Sequence, residues 1–162
     1  MRKPHEILNH VRNRLIENLS QDGGQDGMDA ILLCIENNSN SNKRTITYSA
    51  GNKTPILIRD NSIFELSKDK MPVGKGEKDN SFTLQTVNFK KGDTLYLYTD
   101  GFADQFGGPK GKKFMYKQLN ELLLTVNSLP FDIQKENIES TFNSWKGDLE
   151  QVDEVCLIGI KF

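Results

Sequence analysis

The chain has 162 residues, a length that suits one domain built around one hydrophobic core. Its 21 lysine and arginine residues almost balance its 22 aspartate and glutamate residues, which argues against a nucleic-acid-binding protein. No apolar run is long enough to cross a bilayer, and the first residues lack the apolar core of a signal peptide. Two cysteines, Cys34 and Cys156, lie in apolar runs, which predicts reduced thiols buried in the core. These features predict a soluble, cytoplasmic protein with no membrane or nucleic-acid partner.

The first part of the chain predicts one helix followed by strands. Residues 4–20 place six apolar side chains at helical spacing, namely Ile7, Leu8, Val11, Leu15, Ile16 and Leu19. Residues 29–36 form a short apolar run, and residues 44–50 alternate and are β-branched, so we expect them to pair across a polar turn at 37–43. A second hairpin is predicted on either side of Asp60-Asn61, a dipeptide that favours a tight turn.

The remaining segments alternate between strand and helix patterns. Residues 81–89 and 94–99 are predicted strands separated by a polar turn that contains glycine. Residues 113–127 and 131–146 carry apolar side chains at helical spacing and are predicted helices. The apolar run over 154–162 predicts a final strand.

The order of these elements predicts the fold class. A helix precedes a run of strands, and two helices and one more strand follow, which indicates an α+β fold with an antiparallel sheet. No linker or internal repeat interrupts the pattern. Residues 1–162 are therefore interpreted as a single domain.

Two aspartates lie at the edges of predicted strands. Asp100 ends the apolar run at 95–99, and Asp153 comes just before the last strand. A carboxylate at the end of a buried strand is unfavourable unless a partner compensates its charge. If the two strands are neighbours, both carboxylates lie at one end of the sheet, where Mg²⁺ or Mn²⁺ would find the oxygen ligands it prefers. The alternative is ordinary: Asp100-Gly101 forms a turn and Asp153 ends a loop. Spacing alone leaves both interpretations open.

Taken in order, several segments resemble the bacterial serine phosphatases of the sporulation stage II protein E type, within the metal-dependent (type 2C-like) protein phosphatase family. The similar segments are residues 4–15, 26–36 and 44–60, the Pro-x-Gly step in "MPVG" at 71–74, "FKKGDTLYLYTDGFAD" at 89–104, and "QVDEVCLIGIKF" at 151–162. The resemblance runs through almost the whole chain. It implies an antiparallel β-sandwich flanked by helices, in four α-β-β-α layers.

The same resemblance implies a site and a chemistry. It implies a binuclear Mn²⁺ or Mg²⁺ centre with Asp100 and Asp153 as ligands. Asp104 and Glu154 would support those ligands or hold an accessory metal, and Glu154 stands where the family has Asp or Asn. No catalytic side chain beyond the metal ligands is implied. The activity implied is hydrolysis of phosphoserine or phosphothreonine in proteins.

One departure from the family pattern concerns the first metal-binding motif, an Asp-Gly step that the family carries ahead of its first helix. Nothing like it lies upstream of residue 4, so the chain resembles the C-terminal portion of such a domain and its fold is expected to be incomplete. An incomplete sandwich leaves sheet edges exposed, which predicts a homodimer or another assembly through such an edge. Two carboxylates without the bridging one also predict weak metal binding by the chain alone.

Two functions remain open from the sequence. The first is a phosphatase whose implied substrate is a phosphorylated anti-anti-sigma-type protein, with a sensor domain upstream in the full-length protein. The alternative is a non-catalytic signalling module that keeps the fold and a partner-binding surface but lacks a complete metal site.

Overall fold

The computed structural model describes residues 3–19, 27–35, 44–78 and 80–162. The turn predicted at 37–43 lies outside these ranges. The chain divides into two compact units, the first made of Met1–Pro55, Glu65–Lys91 and Phe162, the second of Ile56–Phe64 and Gly92–Lys161. The assignment of residues 1–162 to one domain stays a prediction. Within the described ranges, no helix is both long and apolar enough to span a membrane.

The secondary structure consists of the following elements. The helices are α1 (Pro4–Leu19), α2 (Gly101–Asp104), α3 (Tyr116–Val126) and α4 (Phe131–Lys146). The strands are β1 (Gly27–Met28), β2 (Ala30–Ile35), β3 (Arg44–Gly51), β4 (Ile56–Arg59), β5 (Ser62–Glu65), β6 (Val73–Gly74), β7 (Gln85–Phe89), β8 (Thr94–Tyr98), β9 (Phe106–Gly107), β10 (Lys112–Lys113) and β11 (Leu157–Lys161).

The first unit packs α1 beside an antiparallel three-stranded sheet in the order β2-β3-β7. The predicted apolar face of α1 contributes to a core in which Leu8 contacts a cluster of Met71, Val73 and Phe82. Burial of these side chains is the main force that holds α1 in place, since burying a leucine or phenylalanine stabilises by roughly 1.5–3 kcal/mol. The predicted pairing of β2 with β3 is confirmed.

Strand β7 begins later than the sequence predicts. The backbone N–H of Phe82 donates to Asn9 Oδ1 at 2.9 Å, and that of Thr83 donates to Asp69 Oδ2 at 2.8 Å. These backbone groups therefore bond to side chains instead of a neighbouring strand, so pairing starts only at Gln85.

The second unit contains a four-stranded sheet in the order β11-β8-β4-β5. Strand β8 is antiparallel to both β4 and β11. The predicted turn between β4 and β5 is confirmed, with φ of 49° at Asp60 and 56° at Asn61, both in the left-handed region that such hairpin turns require. The core joins this sheet to the helices and contains Ile56, Ile58, Tyr96, Phe102, Phe114, Leu119, Leu123, Val126, Ile138 and Phe142.

Both units therefore have the expected class: a mixed α+β fold with antiparallel sheets. One prediction about the core was wrong. Cys156 is exposed and Cys34 is only partly buried. Cys156 comes just before β11, which stands at the end of the sheet order, and Ile158 on that strand is also exposed. An apolar run identifies a strand but does not show which of its faces is covered.

Candidate functional site

The ends of β8 and β11 meet at one end of the second unit's sheet. The two strands are antiparallel, and their register pairs Tyr98 with Leu157. The C-terminal end of β8, which leads to Asp100, therefore lies beside the N-terminal end of β11, which follows Asp153. The sequence predicts that the two aspartates lie at one end of the sheet if their strands are neighbours, and the two strands are neighbours.

Thr99 extends the pairing beyond the two strands. Its backbone N–H donates to Cys156 O at 3.0 Å, and its hydroxyl donates to Glu154 O at 2.8 Å. The same hydroxyl accepts from the backbone N–H of Cys156 at 2.9 Å. A single side chain thus fixes the segment after Asp153 against the segment before Asp100. Sequence reasoning missed Thr99, although a hydroxyl residue directly before an Asp-Gly step was visible.

Gly101 allows the two segments to approach closely. A Cβ atom added there would lie 2.5 Å from Glu154 O and 3.2 Å from the carbonyl carbon of Asp153. Gly101 begins helix α2, so the packing of the neighbouring backbone, rather than a left-handed conformation, requires the glycine. This is a physical reason for the Asp-Gly step beyond the ordinary turn.

Asp100 is half-buried and stands at the N-cap position of α2, with φ of −73° and ψ of −19°. Its carbonyl oxygen accepts from the backbone N–H of Asp104 at 2.8 Å. Among the described residues, its carboxylate makes no capping hydrogen bond to α2. Capping is the commonest structural task of an aspartate at such a position, and Asp100 does not perform it.

Of the other predicted site residues, Asp153 and Glu154 are exposed and Asp104 is half-buried. Asp153 Oδ1 accepts from the backbone N–H of Glu154 at 2.8 Å, and its carbonyl oxygen accepts from Gln151 Nε2 at 2.8 Å. The Glu154 side chain is exposed. Asp104 Oδ1 forms an ion pair with Lys113 Nζ at 3.0 Å. Asp104 is therefore charge-compensated by a lysine, whereas its predicted role beside a metal stays a prediction.

The donor set can be tested against the implied metal. Within the described ranges, no group of three or more His, Cys, Asp and Glu side chains could hold a metal ion. Asp100 and Asp153 supply carboxylate oxygens of the kind that hydrated Mg²⁺ or Mn²⁺ binds, often through only one or two carboxylates. By chemical type, two carboxylates suit one hydrated divalent cation, whereas a binuclear centre would need further ligands.

Gln105 is a second residue that sequence reasoning missed. Its side chain is fully buried and donates from Nε2 to Glu150 O at 2.9 Å and to Phe106 O at 3.0 Å. Its Oε1 accepts from the backbone N–H of Val152 at 3.3 Å. Gln105 thus ties the segment that leads to Asp153 to the end of α2. The sequence around Gln105, which follows Asp104 and precedes two glycines by one residue, gave no signal of this role.

Comparisons with known proteins identify the family and the fold of the chain. The sequence model of the family "Stage II sporulation protein E (SpoIIE)" matches residues 2–162. No curated protein matches the chain by sequence. Among solved structures, the SiaA-PP2C domain of Pseudomonas aeruginosa superimposes with a TM-score of 0.82 at 23% identity, covering 99% of this chain and 61% of that domain.

Two further structures share the fold at lower similarity. The manganese-presoaked phosphatase domain of the cell fate determinant SpoIIE from Bacillus subtilis gives a TM-score of 0.59 at 13% identity, covering 95% of this chain and 63% of that one. The PPM Ser-Thr phosphatase MsPP from Mycobacterium smegmatis, in complex with cacodylate, gives a TM-score of 0.60 at 13% identity, covering 94% of this chain and 70% of that one. The chain thus spans about three fifths of the SiaA domain, 61% of its length. The match over residues 2–162 shows that the chain belongs to the stage II sporulation protein E (SpoIIE) family, and the superpositions show that it shares its fold with the phosphatase domains named above.

Proposed function

We propose that this chain is the metal-dependent protein serine/threonine phosphatase portion of a bacterial signalling protein and acts on phosphoserine or phosphothreonine. The observation that carries the proposal is the pairing of β8 with β11, extended by Thr99, which brings the segments of Asp100 and Asp153 to one end of a sheet. The family match and the shared fold support the same activity class.

In this proposal Asp100 and Asp153 hold a Mn²⁺ or Mg²⁺ ion. When bound, such an ion lowers the pKa of a coordinated water, which becomes the nucleophile for phosphorus. The chain's own residues prepare the site. Thr99 and Gly101 set the separation of the two acidic segments, and Gln105 holds the segment that precedes Asp153. No covalent enzyme intermediate is part of the proposal.

The partner proposed is a phosphorylated regulator of the anti-anti-sigma type, with a sensor domain elsewhere in the full-length protein. Support comes from relatives whose descriptions name regulation: PppA of Pseudomonas aeruginosa is described as a key regulatory component of its T6SS, and SpoIIE as a cell fate determinant. Those descriptions apply to the relatives, and the substrate of this chain is part of the proposal.

Hydrolysis of para-nitrophenyl phosphate by the purified chain with Mn²⁺ tests the proposal. We expect turnover that Asp100→Asn and Asp153→Asn each reduce by about 100-fold or more, since each removes a negatively charged ligand. Asp148→Asn is the matched control, because Asp148 is exposed in the same unit and lies outside the site. It should leave the rate unchanged.

Isothermal calorimetry with Mn²⁺ separates binding from chemistry. We expect weak binding by the wild-type chain and less by Asp100→Asn. Absence of hydrolysis in the wild-type chain at saturating Mn²⁺ would contradict the enzyme proposal for this chain and would favour the non-catalytic signalling module. Equal rates in wild type and Asp100→Asn would remove Asp100 from the site.

A further inference from the structure

A basic and apolar surface surrounds the β9–β10 hairpin. Residues 106–117 contain four lysines and no acidic residue. Three large apolar side chains of this segment are exposed, Phe106 by 42%, Met115 by 56% and Tyr116 by 42%. We name Phe106, Lys110, Lys112, Lys113, Met115 and Tyr116 the basic hairpin surface. Exposed aromatic and methionine side chains among closely spaced lysines are typical of a surface that binds another molecule.

The hairpin is seated firmly on helix α4. The backbone N–H of Gly108 donates to Trp145 O at 2.8 Å. A Cβ atom on Gly107 would overlap that same carbonyl group, and one on Gly108 would lie 2.6 Å from the Trp145 ring. Both glycines are required for this close approach. The exposed side chains are therefore displayed from a fixed support, which reduces the entropy lost when a partner binds.

Met115 has a backbone conformation that is unusual for any residue other than glycine. Its φ is 74° and its ψ is 146°, in a region that favours glycine, yet its side chain is the most exposed of the three apolar ones. Its backbone is held by a hydrogen bond from its N–H to Ala103 O at 2.7 Å. Strained residues held by their surroundings concentrate at functional sites. An exposed methionine in this state is not explained by packing of the core.

The basic hairpin surface is connected to the candidate site. Lys113 forms the ion pair with Asp104, and the N–H of Asp104 donates to the carbonyl oxygen of Asp100 at 2.8 Å. The surface therefore borders the helix that starts after Asp100. A partner bound here would lie next to the end of the sheet that carries both aspartates.

A groove beside the hairpin favours a peptide over a membrane. It has a volume of about 380 Å³ and is lined by glycine, proline and aromatic side chains together with hydroxyls, among them Pro109, Phe114, Thr141 and Trp145. The groove is shallow and is large enough for one apolar side chain of an extended peptide. Binding at a lipid surface instead typically uses the apolar face of an amphipathic helix, whereas this surface is built on a short hairpin.

We propose that the basic hairpin surface docks an acidic segment of the phosphoprotein substrate, with one apolar side chain of that segment in the groove. The four lysines of residues 106–117, a segment with no acidic residue of its own, attract such a partner, steer its encounter and fix its orientation, although Lys113 also pairs with Asp104. That the bound protein is a substrate depends on the proposed phosphatase function. Binding of its acidic segment to the basic hairpin surface does not depend on that function.

Fluorescence anisotropy at low salt tests the proposal with the purified chain. The probe is a short fluorescein-labelled peptide with several glutamates, two leucines and one phosphoserine. We expect the double variant Lys110→Glu/Lys112→Glu to bind the peptide about tenfold more weakly or worse, because attraction becomes repulsion. The matched control is Lys75→Glu/Lys78→Glu, which reverses two exposed lysines of the first unit and should change the affinity less than about twofold.

Met115→Gly provides a variant that should keep the fold. Glycine adopts the observed φ without strain, so the chain should be at least as stable in a thermal melt while it binds the peptide more weakly. Unchanged affinity in this variant would remove Met115 from the surface.

Three other outcomes overturn the proposal. They are no binding of the peptide by the wild-type chain, equal weakening by both double variants, and binding to phosphatidylserine vesicles in place of the peptide. If the chain does not hydrolyse para-nitrophenyl phosphate but the hairpin variants lose peptide binding, the docking surface is supported and the phosphatase function is contradicted. If the chain hydrolyses para-nitrophenyl phosphate but the hairpin variants bind the peptide like the wild type, the phosphatase function is supported and the docking surface is contradicted.

Discussion

The two compact units use aspartates in different ways. In the first unit Asp69 is fully engaged locally, because its two carboxylate oxygens accept from the N–H and the hydroxyl of Thr83, both at 2.8 Å. In the second unit Asp100 does not cap the helix that it precedes, and it shares one sheet end with the segment of Asp153. An acid whose carboxylate is held by hydrogen bonds to a neighbouring segment is a structural residue. Two acids whose segments meet at one end of a sheet are candidates for chemistry.

Glycine substitutions should give the largest difference in activity between the two units. Gly51→Ala in the first unit and Gly101→Ala in the second each place a Cβ against backbone, 2.9 Å from Met71 O and 2.5 Å from Glu154 O. We expect both to lower the free energy of unfolding by about 1–3 kcal/mol. Only Gly101→Ala should also reduce hydrolysis of para-nitrophenyl phosphate, by about 100-fold, because it displaces the segment of Asp153.

The control for this pair is the activity of folded protein. Each rate is compared at a temperature where circular dichroism shows both variants to be folded. Equal loss of activity in Gly51→Ala and Gly101→Ala would mean that the second unit has no special relation to the chemistry.

Substitution of Gln105 should have the next largest effect. Gln105→Leu keeps the volume but leaves Glu150 O, Phe106 O and the N–H of Val152 without their amide partner. A buried polar group without a partner costs about 1–3 kcal/mol, so we expect a loss of about 2–3 kcal/mol in urea denaturation. Gln118→Leu on α3 is the control: it removes an exposed glutamine that donates one hydrogen bond to Phe114 O, and it should change stability by about 1 kcal/mol or less. Equal stability of the two variants would contradict the role of Gln105.

Alkaline pH should affect both units alike. Burial raises the pKa of Tyr48 in the first unit and of Tyr96 in the second, each to about 12. Because the pKa of each tyrosine is higher in the folded state than its unfolded value of about 10, each contributes to the free energy of unfolding. This contribution is present below pH about 10 and is lost as pH rises towards about 12. Each tyrosine should contribute up to about 1.4 kcal/mol per pH unit in that window.

Tyr48→Phe and Tyr96→Phe check the assignment. Each substitution should reduce the slope of unfolding free energy against pH between about 10 and 12, measured by urea denaturation. A slope that neither variant changes would show that other groups dominate the alkaline loss.

The smallest expected effect concerns assembly. The sequence predicts a homodimer through an exposed sheet edge, and Ile158 on β11 is 49% exposed at the end of the sheet order. Ile158→Lys should shift the mass measured by light scattering towards the monomer with little change in thermal stability, since charged residues protect strand edges. A wild-type chain that is monomeric at all concentrations would contradict the dimer prediction.

Local patterns predicted most of the regular elements. Helical spacing identified α1 and α4 closely, and the Asp60-Asn61 dipeptide identified a turn with two left-handed residues. The helix predicted from residue 113 begins at Tyr116 instead. Lys112 and Lys113 pair with the strand before them, and Met115 has a positive φ that no helix allows. The short β9–β10 hairpin was not predicted, because two-residue strands leave no period in a sequence.

The amino-acid sequence by itself determined the α+β class, the antiparallel pairing of β2 with β3, and the positions of Asp100 and Asp153 at strand ends. These follow from side-chain periodicity and turn chemistry, which act between residues close in the chain. Only the tertiary structure decided that β8 neighbours β11, that Thr99 and Gln105 tie the two acidic segments together, and that Cys156 is exposed. Contacts between residues about 50 positions apart depend on how the whole core packs, and no local pattern records them.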